Sequence, residues 1–376
     1  MPINESIEKA KIYQLLTALQ VKNDCVTLIA LNNLIAQPII SLAFLPLYAL
    51  FVEEMNNTIG EKGRVFDISN DSPFKIGAVR AKLKLFADEK RIGKSKKRML
   101  ELDESQDIIF KKKLRFNFTR NLNIHYNLGI YFTNEGKIIG NTQYFYYMFQ
   151  GNNIDGRKYN NEEIREFSRS LGIVIGSINE GLKNFMPHHA VNIKNREYRI
   201  KFKDFNTNKK SFTTISKLQY GKDISLILLH ILSNINFIVF ILSDALENNN
   251  TYLFKIKYIS FYYSIRSIEK IIEFFNKNNV DHNTYSSLKE CIDDSKFLLD
   301  STFRNCMMHY RYDLDGEYLI SDKYLNSNVK LYGLVETFFN GMDYDEIDLL
   351  LTEKLVQLSD IIENSLNIDS NKLKDL

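Results

Sequence analysis

Apolar residues recur at helical spacing along most of this chain. The spacing predicts helices from about Glu5 to Gln20, in two runs within 24–56 separated near Pro38, from Pro73 to Lys90, and from Lys96 to Thr119. A further helix is expected over 161–184, with Glu162 and Glu163 in its first turn and Pro187 beyond its end. Beyond Asp223 come three long periodic segments, roughly 223–247, 252–277 and 284–302, separated by Asn248-Asn249-Asn250 and Asn278-Asn279. A last helical stretch covers 328–366, and the final ten residues are expected to fray.

The period changes in three places. LGIYF, the turn Asn134-Glu135-Gly136, and then KIIG and QYFYYMF read as a hairpin. REYRIKFKDFNTNKKSFTTISKL alternates about an Asp204-Phe205-Asn206-Thr207-Asn208 turn and reads as a second one. RYD and EYLI flank Asp315-Gly316 as a third extended pair. The expected fold class is therefore mainly α with short β-hairpin insertions. The expected organisation is an N-terminal helical domain over 1–186, a hairpin connector over 187–221 and a C-terminal helical domain over 222–376.

Two stretches, 31–52 and 224–246, are apolar enough to raise the question of a membrane. The first is interrupted by Asn32, Asn33, Gln37, Pro38 and Pro46, the second by His230, Ser233, Asn234 and Asn236, so both read as buried core helices and no membrane partner is expected. The N-terminus lacks the charged-then-apolar layout of an export signal. Three cysteines without C-x-x-C spacing indicate neither a disulfide framework nor a thiolate zinc site, which fits a cytoplasmic location. With 44% hydrophobic and 25% charged residues the chain should fold, and a net charge of +3 neither demands nor forbids a polyanionic partner.

One pattern occurs twice. Arg120-Asn121-Leu122-Asn123-Ile124-His125-Tyr126 and Arg304-Asn305-Cys306-Met307-Met308-His309-Tyr310 share the form Arg-Asn-x-x-x-His-Tyr, and each follows a helical region and precedes a short extended segment. A single chance copy is expected in about one chain in a thousand of this composition. The residue types suit cleavage of RNA: a ribose 2′-hydroxyl attacking its phosphate needs a base, an acid for the leaving 5′-oxygen, and a cation for the phosphorane. Histidine can fill either proton role near neutrality, and a guanidinium forks onto phosphate oxygens. On a helix, Asn and His at i and i+4 share a face, whereas Arg and His five apart stand roughly 140° around the axis. One copy is thus an awkward complete site, and two facing copies make a better one.

At these residues the chain resembles the HEPN superfamily (higher eukaryotes and prokaryotes nucleotide-binding), whose ribonuclease members carry Arg-x(4 to 6)-His, often with Asn after Arg. The resemblance implies two paired HEPN-like helical bundles and one composite cleft that cleaves single-stranded RNA without a metal or other cofactor, leaving a 2′,3′-cyclic phosphate. Arg120, Asn121 and His125 would form one half-site, and Arg304, Asn305 and His309 the other. It also implies a setting in prokaryotic antiviral defence, such as abortive infection, or as a toxin. RNA is the expected partner, with a guide or small non-coding RNA, an antitoxin and a second copy as further partners of such proteins. The alternative is a catalytically silent RNA-binding or scaffold protein of the same family.

The stretch 80–115 holds thirteen basic against six acidic residues. Lys94, Lys96, Lys97, Arg98, Lys111, Lys112, Lys113 and Arg115 are its candidates for tracking an RNA backbone, against the alternative of a solvated helix face. Tyr144, Phe145, Tyr146, Tyr147 and Phe149 read as core rather than as a base-stacking platform. His230 reads as a hydrogen-bonded core histidine, His188-His189 as a surface turn, and Cys306 as a packing residue rather than a nucleophile.

Overall fold

Two long helices with almost no polar face organise the molecule. A computed structural model describes residues 3–32, 38–59, 76–88, 92–113, 126–149, 161–183, 191, 193–194, 198–207, 220–247, 249–314, 317–324 and 329–375. The fold is mainly α. The N-terminal half contains α1 (Ile3–Asn32), α2 (Pro38–Ile59), α3 (Ile76–Ala81), α4 (Ile92–Lys113), β1 (Leu128–Phe132), β2 (Ile138–Asn141), α5 (Thr142–Phe149), α6 (Asn161–Leu182) and β3 (Lys201–Phe205). The C-terminal half contains α7 (Lys222–Asn236), α8 (Thr251–Lys277), α9 (Ser286–Asp293), α10 (Ser301–His309), β4 (Asp313–Leu314), β5 (Glu317–Tyr318), α11 (Leu334–Phe338), α12 (Tyr344–Leu366) and α13 (Ser370–Lys374).

Helix α8 starts where Asn250 accepts a hydrogen bond from the Leu253 amide and is buried along most of its length, from Tyr252 to Phe275. A helix that is apolar nearly all round belongs in a core. Around it pack α1, α7, α9, α10 and α12. Helix α7 is buried from Ile224 to Asn236 and continues through a π-helical turn over Phe237–Leu242. Residues Ile39–Asn57 and Lys222–Ala245 are long and apolar enough to cross a membrane, and most of each is buried inside the protein. The buried apolar side chains form one cluster running from Tyr13 to Leu373, drawn from both sides of 187–221.

The first hairpin forms about its expected turn, with β1 pairing antiparallel to β2 and Gly136 at φ 81. QYFYYMF does not continue it. Asn141 accepts a hydrogen bond from the Tyr144 amide at 2.8 Å and starts α5 instead, so the aromatic run is helical, with Tyr144, Phe145 and Tyr147 buried. Strand β3 pairs with β1, giving the sheet order β2-β1-β3, so the described strand within 187–221 belongs to a sheet with the first hairpin. Among the described residues, the helix expected over 73–90 is α-helical only over Ile76–Ala81, passes into a 3₁₀ turn and breaks at Leu85 and Phe86, both at positive φ, and the stretch expected as one helix over 328–366 is a 3₁₀ turn followed by α11 and α12. Other expectations need correction too. Helix α1 runs unbroken to Asn32. The segment expected as one helix over 284–302 is α9, a short 3₁₀ turn and the start of α10. The C-terminus docks rather than frays: Asp369 caps α13, Leu373 is fully buried and Lys201 donates to the Lys374 carbonyl at 2.5 Å.

Candidate active site

Helix α10 carries the second motif, and its local sequence explains its orientation. Asp300 accepts from the Phe303 amide at 2.7 Å and starts the helix. Phe303 is fully buried, edge-on to Tyr258 and Phe339, and Cys306, Met307 and Met308 are buried beside it. Burying a Phe or Met side chain is worth about 1.5–3 kcal/mol. This packing sets the rotation of the helix. Asn305 and His309, one turn apart, are thereby left on an open face, where both line a cleft of about 1510 Å³.

Arg304 points elsewhere. Its Nη1 donates to the Tyr263 hydroxyl at 2.8 Å, and the guanidinium carbon stands 5.2 Å and 5.4 Å from the Tyr262 and Tyr263 ring centres. The angle between positions five apart on a helix accounts for this divergence from His309.

Two residues from the N-terminal half complete the surroundings of His309. Glu54, near the end of α2, is 2% exposed and lies 2.8 Å from His309 Nδ1. Arg80 on α3 approaches the other Glu54 oxygen at 2.6 Å, and its Nη2 is 3.4 Å from Nδ1. Arginine has no proton acceptor and an ionised carboxylate no donor, so the Glu54 contact is a hydrogen bond only when Nδ1 carries the proton. In the neutral ring this leaves Nε2 as the acceptor. A buried carboxylate that fixes one imidazole tautomer, itself clamped by a guanidinium, is an arrangement that equips histidine as a general base.

Helices α1 and α6 and the β4–β5 hairpin supply the other walls of the cleft, including Gln14, Thr17, Ser177 and Arg311. Arg311 is an exposed cation on this lining. The hairpin is tied to α1 by Tyr13, which stacks on Tyr318 at 3.9 Å and donates to the Ile320 carbonyl at 2.7 Å.

No family model, no curated protein and no solved structure matches the chain. The functional reading therefore rests on residues and geometry.

The first motif lies outside the described residues except for Tyr126, so Arg120, Asn121 and His125 are not placed. Tyr126 is 51% exposed. Asn127, which follows it, is buried and donates to Asp103 on α4 at 3.2 Å and to the Thr207 hydroxyl at 2.8 Å. Helix α4 packs chiefly on α7, whereas α10 packs on α8 and α2.

The candidate RNA-tracking residues are interleaved with acids and rings. Lys96 lies 3.4 Å from Asp223 and 3.9 Å over the Phe274 ring, Lys97 3.7 Å from Glu101, and Lys111 2.5 Å from Asp107. The Arg98 guanidinium is 5.8 Å from the Tyr147 ring, and Lys94 is exposed. The side chains of Lys112 and Lys113, and all of Arg115, lie outside the described residues. His188-His189 lies outside them too.

His230 is a core residue, as its apolar helix suggests, but neither ring nitrogen has a hydrogen-bond partner. Phe86, Tyr144 and Tyr147 surround it, and burial pushes its pKa down to about 3. The Cys306 thiol is pushed up to about 12 by burial, which keeps its proton and suits packing.

Sequence reasoning missed Glu54, Arg80 and Arg311 as site residues. The one available signal was Glu53-Glu54, a charged pair closing the otherwise apolar run of α2.

Proposed function

We propose that this chain is a metal-independent endoribonuclease in which His309 moves the proton between the RNA 2′-hydroxyl, or the leaving oxygen, and the enzyme. The observation that carries the reading is the contact of His309 with buried Glu54, itself held by Arg80, on a cleft that Asn305 and Arg311 also line. Glu54 holds Nδ1 protonated so that Nε2 accepts, and compensates the imidazolium once it forms. Arg311 offers its guanidinium to the phosphate, and Asn305 a neutral donor and acceptor. The uncharged polar groups of the walls, Gln14, Thr17 and Ser177, suit unpaired nucleotides better than the rigid, phosphate-lined surface of a duplex.

A transesterification needs both a base and an acid, and the repeated motif suggests His125 as the second group. The resemblance to HEPN ribonucleases supports a role in antiviral defence or as a regulated toxin. The test is incubation of wild type, His309→Ala and His125→Ala with single-stranded RNA in EDTA. A shared site predicts that either change abolishes cleavage. Loss with His309→Ala alone restricts the chemistry to the Glu54–His309 site, and unaltered cleavage in both overturns the proposal.

One observation favours a second reading, a catalytically silent RNA-binding or scaffold protein. Arg304, the motif's own cation, is hydrogen-bonded to Tyr263 rather than lining the cleft. RNA binding by wild type with no cleavage would support it.

A further inference from the structure

The residue that follows His309 is held from three directions. Tyr310 ends α10 in the left-handed region, at φ 51 and ψ 28, a conformation that is strained for a bulky side chain and persists only where its surroundings enforce it. Its ring is buried and edge-on to Phe51 of α2, with centroids 6.3 Å apart. Its hydroxyl donates to Asp24 of α1 at 2.5 Å. Asp24 has no exposed surface; it also accepts from Gln20 at 2.7 Å and forms an ion pair with Lys255 of α8. The Lys255 ammonium in turn sits 3.7 Å over the Tyr310 ring. Helices α1, α2 and α8 thus converge on the backbone position between His309 and Arg311, both of which line the cleft, as Asp313 two residues on also does.

Two buried carboxylates, Asp24 and Glu54, face two cations, Lys255 and Arg80, behind His309. Burial pushes the Lys255 pKa down, opposed first by Asp24 and then by Glu54, so the second carboxylate lies within electrostatic reach of this lysine. Further titratable groups around the set are Glu53 beside Glu54, Tyr252 on α8, Tyr263 near Arg80, and Tyr312, Tyr332 and Tyr344 near Asp24, with Arg311 and Asp313 on the cleft itself.

We propose that Asp24, Lys255 and Tyr310 form a positioning network that aims His309 at the cleft and sets the charge around its imidazole, which gives the tyrosine after the histidine a role in this second copy of the motif. The inference rests on the reading of His309 as the reacting group. Removing the Lys255 charge leaves two carboxylates facing one guanidinium, so His309 should hold its proton more tightly; neutralising Asp24 has the opposite sign. A scaffold without electrostatic influence gives no such pair of opposed shifts.

The experiment uses the full chain as wild type, Tyr310→Phe, Asp24→Asn and Lys255→Met. It reads the His309 ring by NMR titration of histidine-labelled protein, assigned by the signal lost in His309→Ala, together with kcat and KM for RNA. Lys255→Met should raise the His309 midpoint, and Asp24→Asn lower it, each by roughly one pH unit. Tyr310→Phe keeps the ring and loses the hydroxyl; it should displace the His309 signal and lower kcat roughly tenfold at unchanged KM, since small misplacements of a reacting group are costly. Midpoints that stay put or move together, or a Tyr310→Phe protein with the wild-type signal and kcat, overturn the proposal. Should a charge variant not fold, Tyr310→Phe decides alone. Should wild type not cleave RNA, the nuclease reading fails, and the NMR titrations still decide the network.

Discussion

Glu54 and His309 are 255 positions apart in the chain, and their side chains meet at 2.8 Å between a carboxylate oxygen and Nδ1. Helix α2 brings the carboxylate in buried, and the end of α10 brings the imidazole in partly exposed, so the pair has one face in the core and one on the cleft. That asymmetry makes the contact directional. The carboxylate cannot turn to solvent, and the ring retains a nitrogen for a substrate.

Replacing Glu54 with Gln removes the charge while keeping the shape. The amide can present its NH₂ to Nδ1 and favour the wrong tautomer, so RNA cleavage should fall by roughly 10²- to 10⁴-fold with little change in RNA affinity. Arg80 loses its ionic partner in the same variant, and stability should fall by about 3–5 kcal/mol, as for a broken buried pair. Cleavage rates and urea unfolding check the two effects separately.

His230 should make the protein acid-sensitive. Its folded pKa, about 3, lies below the ordinary value of 6.5, so the folded state binds fewer protons than the unfolded one. Its contribution is intact above pH 6.5 and is lost as pH falls towards 3, at about 1.4 kcal/mol per pH unit. Between pH 6.5 and 5 this amounts to about 2 kcal/mol. Urea unfolding of wild type and His230→Leu at both values checks it: the variant should lose less stability on acidification.

The buried pair of Lys257 on α8 and Asp348 on α12, 2.9 Å apart, should be costly to break and cheap to replace. Lys257→Met alone should lose about 3–5 kcal/mol, whereas Lys257→Met with Asp348→Leu should lie near wild type. Burial pushes the Asp348 pKa up, with Lys257 opposing it, so lowering the pH should soften the single-variant defect. Chemical denaturation of the three proteins at pH 5 and 7 tests this.

All three cysteines should resist alkylation in the native protein. Cys25 and Cys306 are pushed up to about 12 by burial, Cys291 is also raised, and all are buried. Iodoacetamide at pH 8 should leave them unmodified without denaturant and label each in urea, read by mass spectrometry. Rapid native labelling of Cys306 would reopen a nucleophilic role.

Much of the helical framework was legible because its signals are local. The apolar Phe303, Cys306, Met307 and Met308 and the i, i+4 spacing of Asn305 and His309 all lie within seven residues, whereas the Asp300 cap was hidden inside a segment that reads as one helix over 284–302. Helix α5 was not legible, since its aromatic residues suit a strand as well as a helix and the deciding Asn141 cap belongs to the end of β2. The Glu54–Arg80 support was hidden for a different reason. A carboxylate at the end of an apolar helix and an arginine at the start of a basic stretch gain their meaning only when α2, α3 and α10 pack together. The Arg304 contact with Tyr263 was equally a product of packing, because residue spacing showed that the arginine diverges from His309 but not what it meets.

The most direct test of His309 as the reacting group is the yield of 2′,3′-cyclic phosphate ends from a single-stranded RNA in EDTA, compared between wild type and a folded His309→Ala protein. Wild type should give abundant cyclic ends, and the variant none above background. Equal yields from the two proteins, or wild-type products carrying 5′-phosphates instead, rule out His309 as the reacting group.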